Sequence, residues 1–183
     1  MSTGYKIDNQ DGFYFLTFQV INWVDIFTRK IYCDILIESF NHCRKNKGLQ
    51  IWAYVIMSNH VHAILSAREN NLSDIKRDFK RHTATQILRQ IKSVSESRRK
   101  WMLHLFKTAA EKHQRNSEFQ FWTHENHAIY LETMPFLMQK MAYIHENPIR
   151  AGWVEKAEDW LYSSQRNYLS MESALEIDLL DID

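Results

Sequence analysis

Two histidines separated by one residue, His60-Val61-His62, lie in a run of apolar and β-branched residues that reads as a strand. Side chains at i and i+2 of a strand point to the same face, so both imidazoles project together while Val61 packs on the other side. A pair held this way can bind a divalent cation. Two ligands are too few for a closed structural zinc site, so a metal here keeps open positions, which is the catalytic arrangement. The same pair also suits a polar strand edge.

A second group lies in Tyr143-Ile144-His145-Glu146-Asn147-Pro148. On a helix, Leu137, Met141 and Ile144 make the apolar stripe. Tyr143 and Asn147, four apart, share its border, with Lys140 one turn earlier. Tyr143 can reach over a sheet toward the histidine pair, and the Asn147 amide oxygen can serve as a third ligand. The bland alternative is a core-edge tyrosine and an asparagine that stops a helix. His145 and Lys140 are titratable neighbours that equally suit a solvated helix face.

Several elements must position these groups. Phe13 to Asn22 reads as a strand, and Thr28 to Lys47 as a helix that stops at Gly48. Leu49 to Met57, with Trp52, Tyr54 and Ile56 alternating against Ile51, Ala53 and Val55, pairs with His60 to Ala67 through Ser58-Asn59. Ser73 caps a basic helix over Asp74 to Lys92. Ser93 to Asn116 reads as a loop or a short helix near Trp101 to Ala110. His124 to Leu131 reads as a strand, and Thr133 to Glu146 as a helix ended by Asn147-Pro148. This order predicts an α+β fold, a ferredoxin-like antiparallel sheet sandwiched with helices. A polar segment at 1–12, one domain at 13–168 and an acidic tail at 169–183 complete the division.

The 183 residues, 45% apolar and 13% aromatic, suffice for a single core. Four glycines and two prolines leave no room for a Gly-rich phosphate loop or a Pro-rich linker. No apolar run approaches the roughly 18 residues that span a bilayer. The polar N-terminus lacks a signal peptide's pattern, and Cys33 and Cys43 read as reduced thiols, so the expected location is cytoplasmic. The net charge of +1 hides an asymmetry. Residues 68–115 carry thirteen Lys/Arg against five Asp/Glu, whereas 155–183 carry two against eight. The basic stretch suits a polyanion. Lys76, Arg77, Lys80 and Arg81 recur at helical spacing as a row for phosphates, and Arg150 is a further candidate. An exposed Trp122 or Trp101 can stack an unpaired base.

The stretches WAYVIMSNHVHAIL (52–65), LSDIKRDFKRHT (72–83), FWTHENHAI (121–129) and YIHENPIRAGWV (143–154), with the later Asp159, Trp160, Ser163 and Ser164, resemble the HUH single-tyrosine transposases. The resemblance is to the REP-associated tyrosine transposases and their insertion-sequence relatives, and it spans most of 13–164. It implies His60 and His62 as ligands of Mg²⁺ or Mn²⁺, Tyr143 as nucleophile and Asn147 as third ligand. The implied function is a metal-dependent endonuclease and strand transferase for single-stranded or hairpin DNA, in a bacterial, nucleoid-associated setting. The alternative is a domesticated repeat- or hairpin-binding protein with little transposition activity. A phosphodiesterase acting on nucleotides shares the histidine pair, but Ile64 stands where a third alternating histidine would complete a nucleotide-hydrolase triplet. The chain suits a monomer or a homodimer equally.

Overall fold

A computed structural model describes residues 7–69, 71–93, 95–112, 118–124 and 127–180. The outermost residues of the expected N-terminal segment (1–6) and acidic tail (181–183) lie outside these. So do 94, 113–117, and Glu125 and Asn126 of the expected fourth strand.

The aromatic and β-branched run Tyr14–Gln19 forms β1, shorter than its sequence suggests. It stops because Asn22 and Trp23 take left-handed backbone, with φ of 53° and 55°, in a 3₁₀ turn at Ile21–Trp23. Helix α1 (Lys30–Lys47) buries Tyr32, Leu36 and Phe40 and ends at Gly48, whose φ of 71° only glycine adopts freely. It also buries both free cysteines. Burial raises the Cys33 thiol to about 12 and the Cys43 thiol to about 11, so both remain protonated.

Strands β2 (Leu49–Ile56) and β3 (His60–Ala67) form the expected hairpin, but the alternation in β2 breaks at Trp52. Ile51 faces Leu65 and Ala53 faces Ile64, so Trp52 is the extra residue of a bulge. The bulge turns Trp52 to the opposite side from Tyr54 and Ile56. Helix α2 (Leu72–Ser93) begins before Ser73, which therefore does not cap it. The Asn71 carbonyl accepts from Asp74 and Ile75, and the Gln10 side chain holds the Ser73 amide and hydroxyl. The stretch expected as a loop or short helix contains the 14-residue α3 (Arg99–Lys112), anchored by Met102, Phe106 and Ala110 at one-turn spacing.

The fourth strand is brief. Among the described residues of that stretch, Ile129–Tyr130 (β4) pairs with β1. Helix α4 (Met134–Arg150) is capped by the Thr133 hydroxyl and runs through Pro148. Proline disrupts a helix interior, but here it lies in the last turn, where its missing N–H costs one bond and the ring is buried. The helix stops instead at Gly152, φ 73°. Trp153 N–H bonds the Pro148 carbonyl at 3.0 Å and Gly152 N–H the Ile149 carbonyl at 2.9 Å, a Schellman closure.

The sheet order is β2-β3-β1-β4, antiparallel throughout, as a ferredoxin-like path requires. One face, with Leu16, Phe18, Val61 and Leu65, packs under α1 and α2; the other, with Phe15, Val55 and Ile64, packs under α4. The outer edge of β2 is covered by the chain's end. Ser164 N–H bonds the Tyr54 carbonyl, and Asp178 pairs with both backbone groups of Ile51. A short helix, α5 (Gln165–Tyr168), joins these contacts, and its Tyr168 hydroxyl donates to the Trp52 carbonyl. The acidic tail thus shields an edge that would otherwise invite pairing. Its Asp178 anchor is at the end of the hairpin away from His60.

Candidate active site

The register of β1 against β3 sets Gln19 opposite His60 and Thr17 opposite His62, all on the face covered by α4. The two imidazoles lie 4.6 Å apart between ring centroids. Each is held by its Nδ1. His60 Nδ1 is 2.8 Å from Asn59 Oδ1, and His62 Nδ1 is 2.9 Å from Thr17 Oγ1. The Asn59 amide is itself oriented, because its Nδ2 donates to Asp25 Oδ1 at 3.0 Å. Asn59 Oδ1 can only accept, so His60 carries its proton on Nδ1 and presents Nε2 as a lone pair. Such a second contact is what orients a ligating imidazole.

Tyr143 projects from α4 over this pair. Its ring is 5.4 Å from His62 and 6.0 Å from Phe15, and Phe15 in turn stacks on His62 at 5.1 Å. Two cations flank the tyrosine. Lys140 Nζ is 5.8 Å from the ring centroid and the Arg150 guanidinium 5.1 Å. Arg150 reaches Tyr143 because α4 continues past Pro148, and it also pairs with Glu146 at 2.6 Å. Asn147 is half-buried, one turn beyond Tyr143 on the same flank. His145 points elsewhere, with Nε2 2.8 Å from the buried Ser164 hydroxyl.

Burial pushes His60 down to about 4, and burial aided by His60 and Lys140 pushes His62 down to about 3. Burial also lowers His145 to about 4. The two site imidazoles are therefore neutral at physiological pH, the form that coordinates metal. The consequence for stability has a definite sign. The unfolded chain protonates its histidines near 6.5, whereas the folded chain resists until about 4. The metal-free protein should lose stability as pH falls from 6.5 toward 4, by about 2 kcal/mol per imidazole at pH 5. Urea midpoints at pH 7 and pH 5 check this. An unchanged midpoint would show that the imidazoles are not buried as described.

The structure separates the other expected DNA contacts from this site. Lys76, Arg77, Lys80 and Arg81 lie on α2, beneath the opposite face of the sheet. Arg77 pairs with Asp74 and Asp78, and Arg81 with Asp78, while Lys80 Nζ donates to the Thr123 carbonyl. Lys76 is half-buried, which lowers its pKa. Trp122 is not exposed as expected. It is 4% exposed, stacks on Phe27 and donates to the Thr83 hydroxyl, so it cannot take a base. Nothing in the sequence marks Thr17 or Asp25 as supports of the histidine pair. Asn59 was visible only as a turn residue, and nothing local marks Thr17, whose role comes from strand register.

Among the described residues, no cluster of three or more His, Cys, Asp or Glu could hold a metal. His60 and His62 are the two imidazoles that the strand brings together. Among those residues also, no helix is long and apolar enough to cross a membrane. No curated protein matches the chain. A solved structure of a REP-associated tyrosine transposase bound to a REP hairpin is similar in fold. Its TM-score is 0.65 at 16% identity, over 100% of this chain and 96% of that one. Residues 13–147, from β1 to Asn147, match the family model described as transposase, IS200-like, and the chain belongs to that family.

Proposed function

We propose that the chain is a metal-dependent endonuclease and strand transferase for single-stranded DNA, including single strands flanking a hairpin. Tyr143 is the nucleophile, and His60, His62 and Asn147 hold Mg²⁺ or Mn²⁺. The observation that carries this reading is the tyrosine ring 5.4 Å from a histidine whose Nδ1 is already engaged. The residues fit such an ion in offering two neutral imidazoles, each with its Nδ1 engaged. When bound, the ion polarises the scissile phosphate and offsets charge on its oxygens.

A phenol is almost wholly protonated at neutral pH and a poor nucleophile, so its placement matters. The Tyr143 oxygen attacks phosphorus, the new O–P bond forms, and the bond to the 3′ oxygen breaks. The phenolic proton ends on that oxygen, leaving a 3′-hydroxyl and a 5′-phosphotyrosine. The adduct conserves the phosphodiester, so a 3′-hydroxyl of another strand can reverse the step without ATP. Lys140 and Arg150 place positive charge at the tyrosine, where phosphates must pass. The exposed Arg77 and Arg81 are on the far face of the sheet. Any phosphate they hold belongs to DNA remote from the cleaved bond.

The test is a denaturing gel of protein mixed with Mn²⁺ and labelled single strands, both repeats flanking its own gene and a degenerate pool. A covalent protein–DNA band is expected. Tight hairpin binding without that band would favour the non-transposing, DNA-binding reading.

A further inference from the structure

We infer that Trp23 is a stacking platform for an unpaired nucleobase next to the cleavage site; this rests on the reading of that site as one for single-stranded DNA. Trp23 is 57% exposed, the highest value among the large apolar side chains in the described residues. Yet it is not at a loose loop tip. Its ring meets the His60 imidazole at 6.0 Å between centroids and 82° between planes.

The backbone is pinned in an unfavourable shape to put it there. Asn22 and Trp23 are consecutive non-glycine residues at φ of 53° and 55°. Such strain persists only where neighbours hold it, and it concentrates at ligand sites. The neighbours are identifiable. Ile21 N–H bonds the Phe121 carbonyl at 2.9 Å, and Trp23 N–H bonds the Val20 carbonyl at 3.1 Å. Asn59, which orients His60, also donates to the Trp23 carbonyl at 3.4 Å. One asparagine therefore ties the Trp23 backbone to the histidine.

The same loop adjoins positive charge. Two residues on, the Asp25 carbonyl accepts from the Arg98 guanidinium at 3.0 Å. Arg98 lines a polar notch of about 490 Å³ with Arg29, Arg99 and the buried Glu96. An exposed aromatic beside basic side chains is how proteins take single strands, because every base offers a π face and every nucleotide a phosphate. A protein partner fits less well beside an arginine-rich notch. Trp153, by contrast, is already packed against Trp160, with ring centroids 5.0 Å apart.

The experiment measures binding of fluorescein-labelled random-sequence single strands of about 20 nucleotides, and of a duplex of the same length, by anisotropy. Trp23→Ala should weaken single-strand binding by about 5- to 100-fold, leave duplex binding unchanged and melt like wild type. Trp23→Tyr should restore most of the loss. Single-strand affinity equal to wild type in Trp23→Ala, or an equal loss on both DNAs, would overturn the inference. Failure of the wild type to bind any single strand would overturn it together with the cleavage reading. Single-strand binding without a covalent adduct would sink the cleavage reading alone, and the outcome at Trp23 would still decide this one.

Discussion

Replacing Tyr143 with phenylalanine should abolish the covalent DNA adduct while leaving single-strand affinity within about threefold of wild type. The phenyl ring keeps the contacts to His62 and Phe15 and remains under the Arg150 guanidinium. Only the attacking oxygen is lost. Deleting a nucleophile in an otherwise intact site costs on the order of 10³-fold or more in rate, whereas deleting a binding contact costs far less. Tyr143 is half-buried against the sheet, so the variant should also melt within a few degrees of wild type. Adduct yield on a denaturing gel and anisotropy on the same oligonucleotide separate the two effects. A persistent adduct would assign the nucleophile to another residue, and a joint loss of adduct and binding would point to damaged structure.

The chain shows why some of this was legible and some not. The pattern of β3, beginning at His60, could be read because two histidines two residues apart on a strand share one face. The position of Tyr143 could be read from helical spacing to Leu137, Met141 and Ile144. The end of the same helix could not. The local rule at Asn147-Pro148 says stop, but burial of Pro148 and the closure at Gly152 outweigh one lost hydrogen bond, and that balance depends on packing. The extra turn brings Arg150 over Tyr143. The tryptophans make the same point in reverse. Trp122 precedes a polar run yet is buried, and Trp23 follows an apolar strand yet is exposed. Their burial is decided by which loop crosses which strand end, a long-range property absent from any short window. The basic row on α2 could be read from spacing, but which side of the sheet that helix covers could not.

Removing both imidazoles, His60→Ala with His62→Ala, should eliminate Mn²⁺ binding measured by calorimetry and, with it, the adduct. Asn59→Ala should weaken Mn²⁺ by only about 10- to 100-fold. The contrast is the informative part. In the double variant no nitrogen donor remains, so affinity vanishes whatever the orientation of the rest. In Asn59→Ala both donors remain, but His60 loses the acceptor at 2.8 Å that fixes its tautomer and ring plane. The imidazole then spends part of its time with Nε2 protonated, a form that cannot ligate. Excess Mn²⁺ should therefore rescue adduct formation in Asn59→Ala and fail to do so in the double variant. Asn59→Asp sharpens the test. A carboxylate preserves the acceptor to Nδ1–H, but it gives up the Nδ2 donor and sets a second negative charge beside Asp25. If Asn59 acts by orienting His60, this variant should bind Mn²⁺ more tightly than Asn59→Ala although it disturbs the loop more. The opposite ranking would mean that the Asp25–Asn59 contact matters for holding the loop rather than for the ligand it positions.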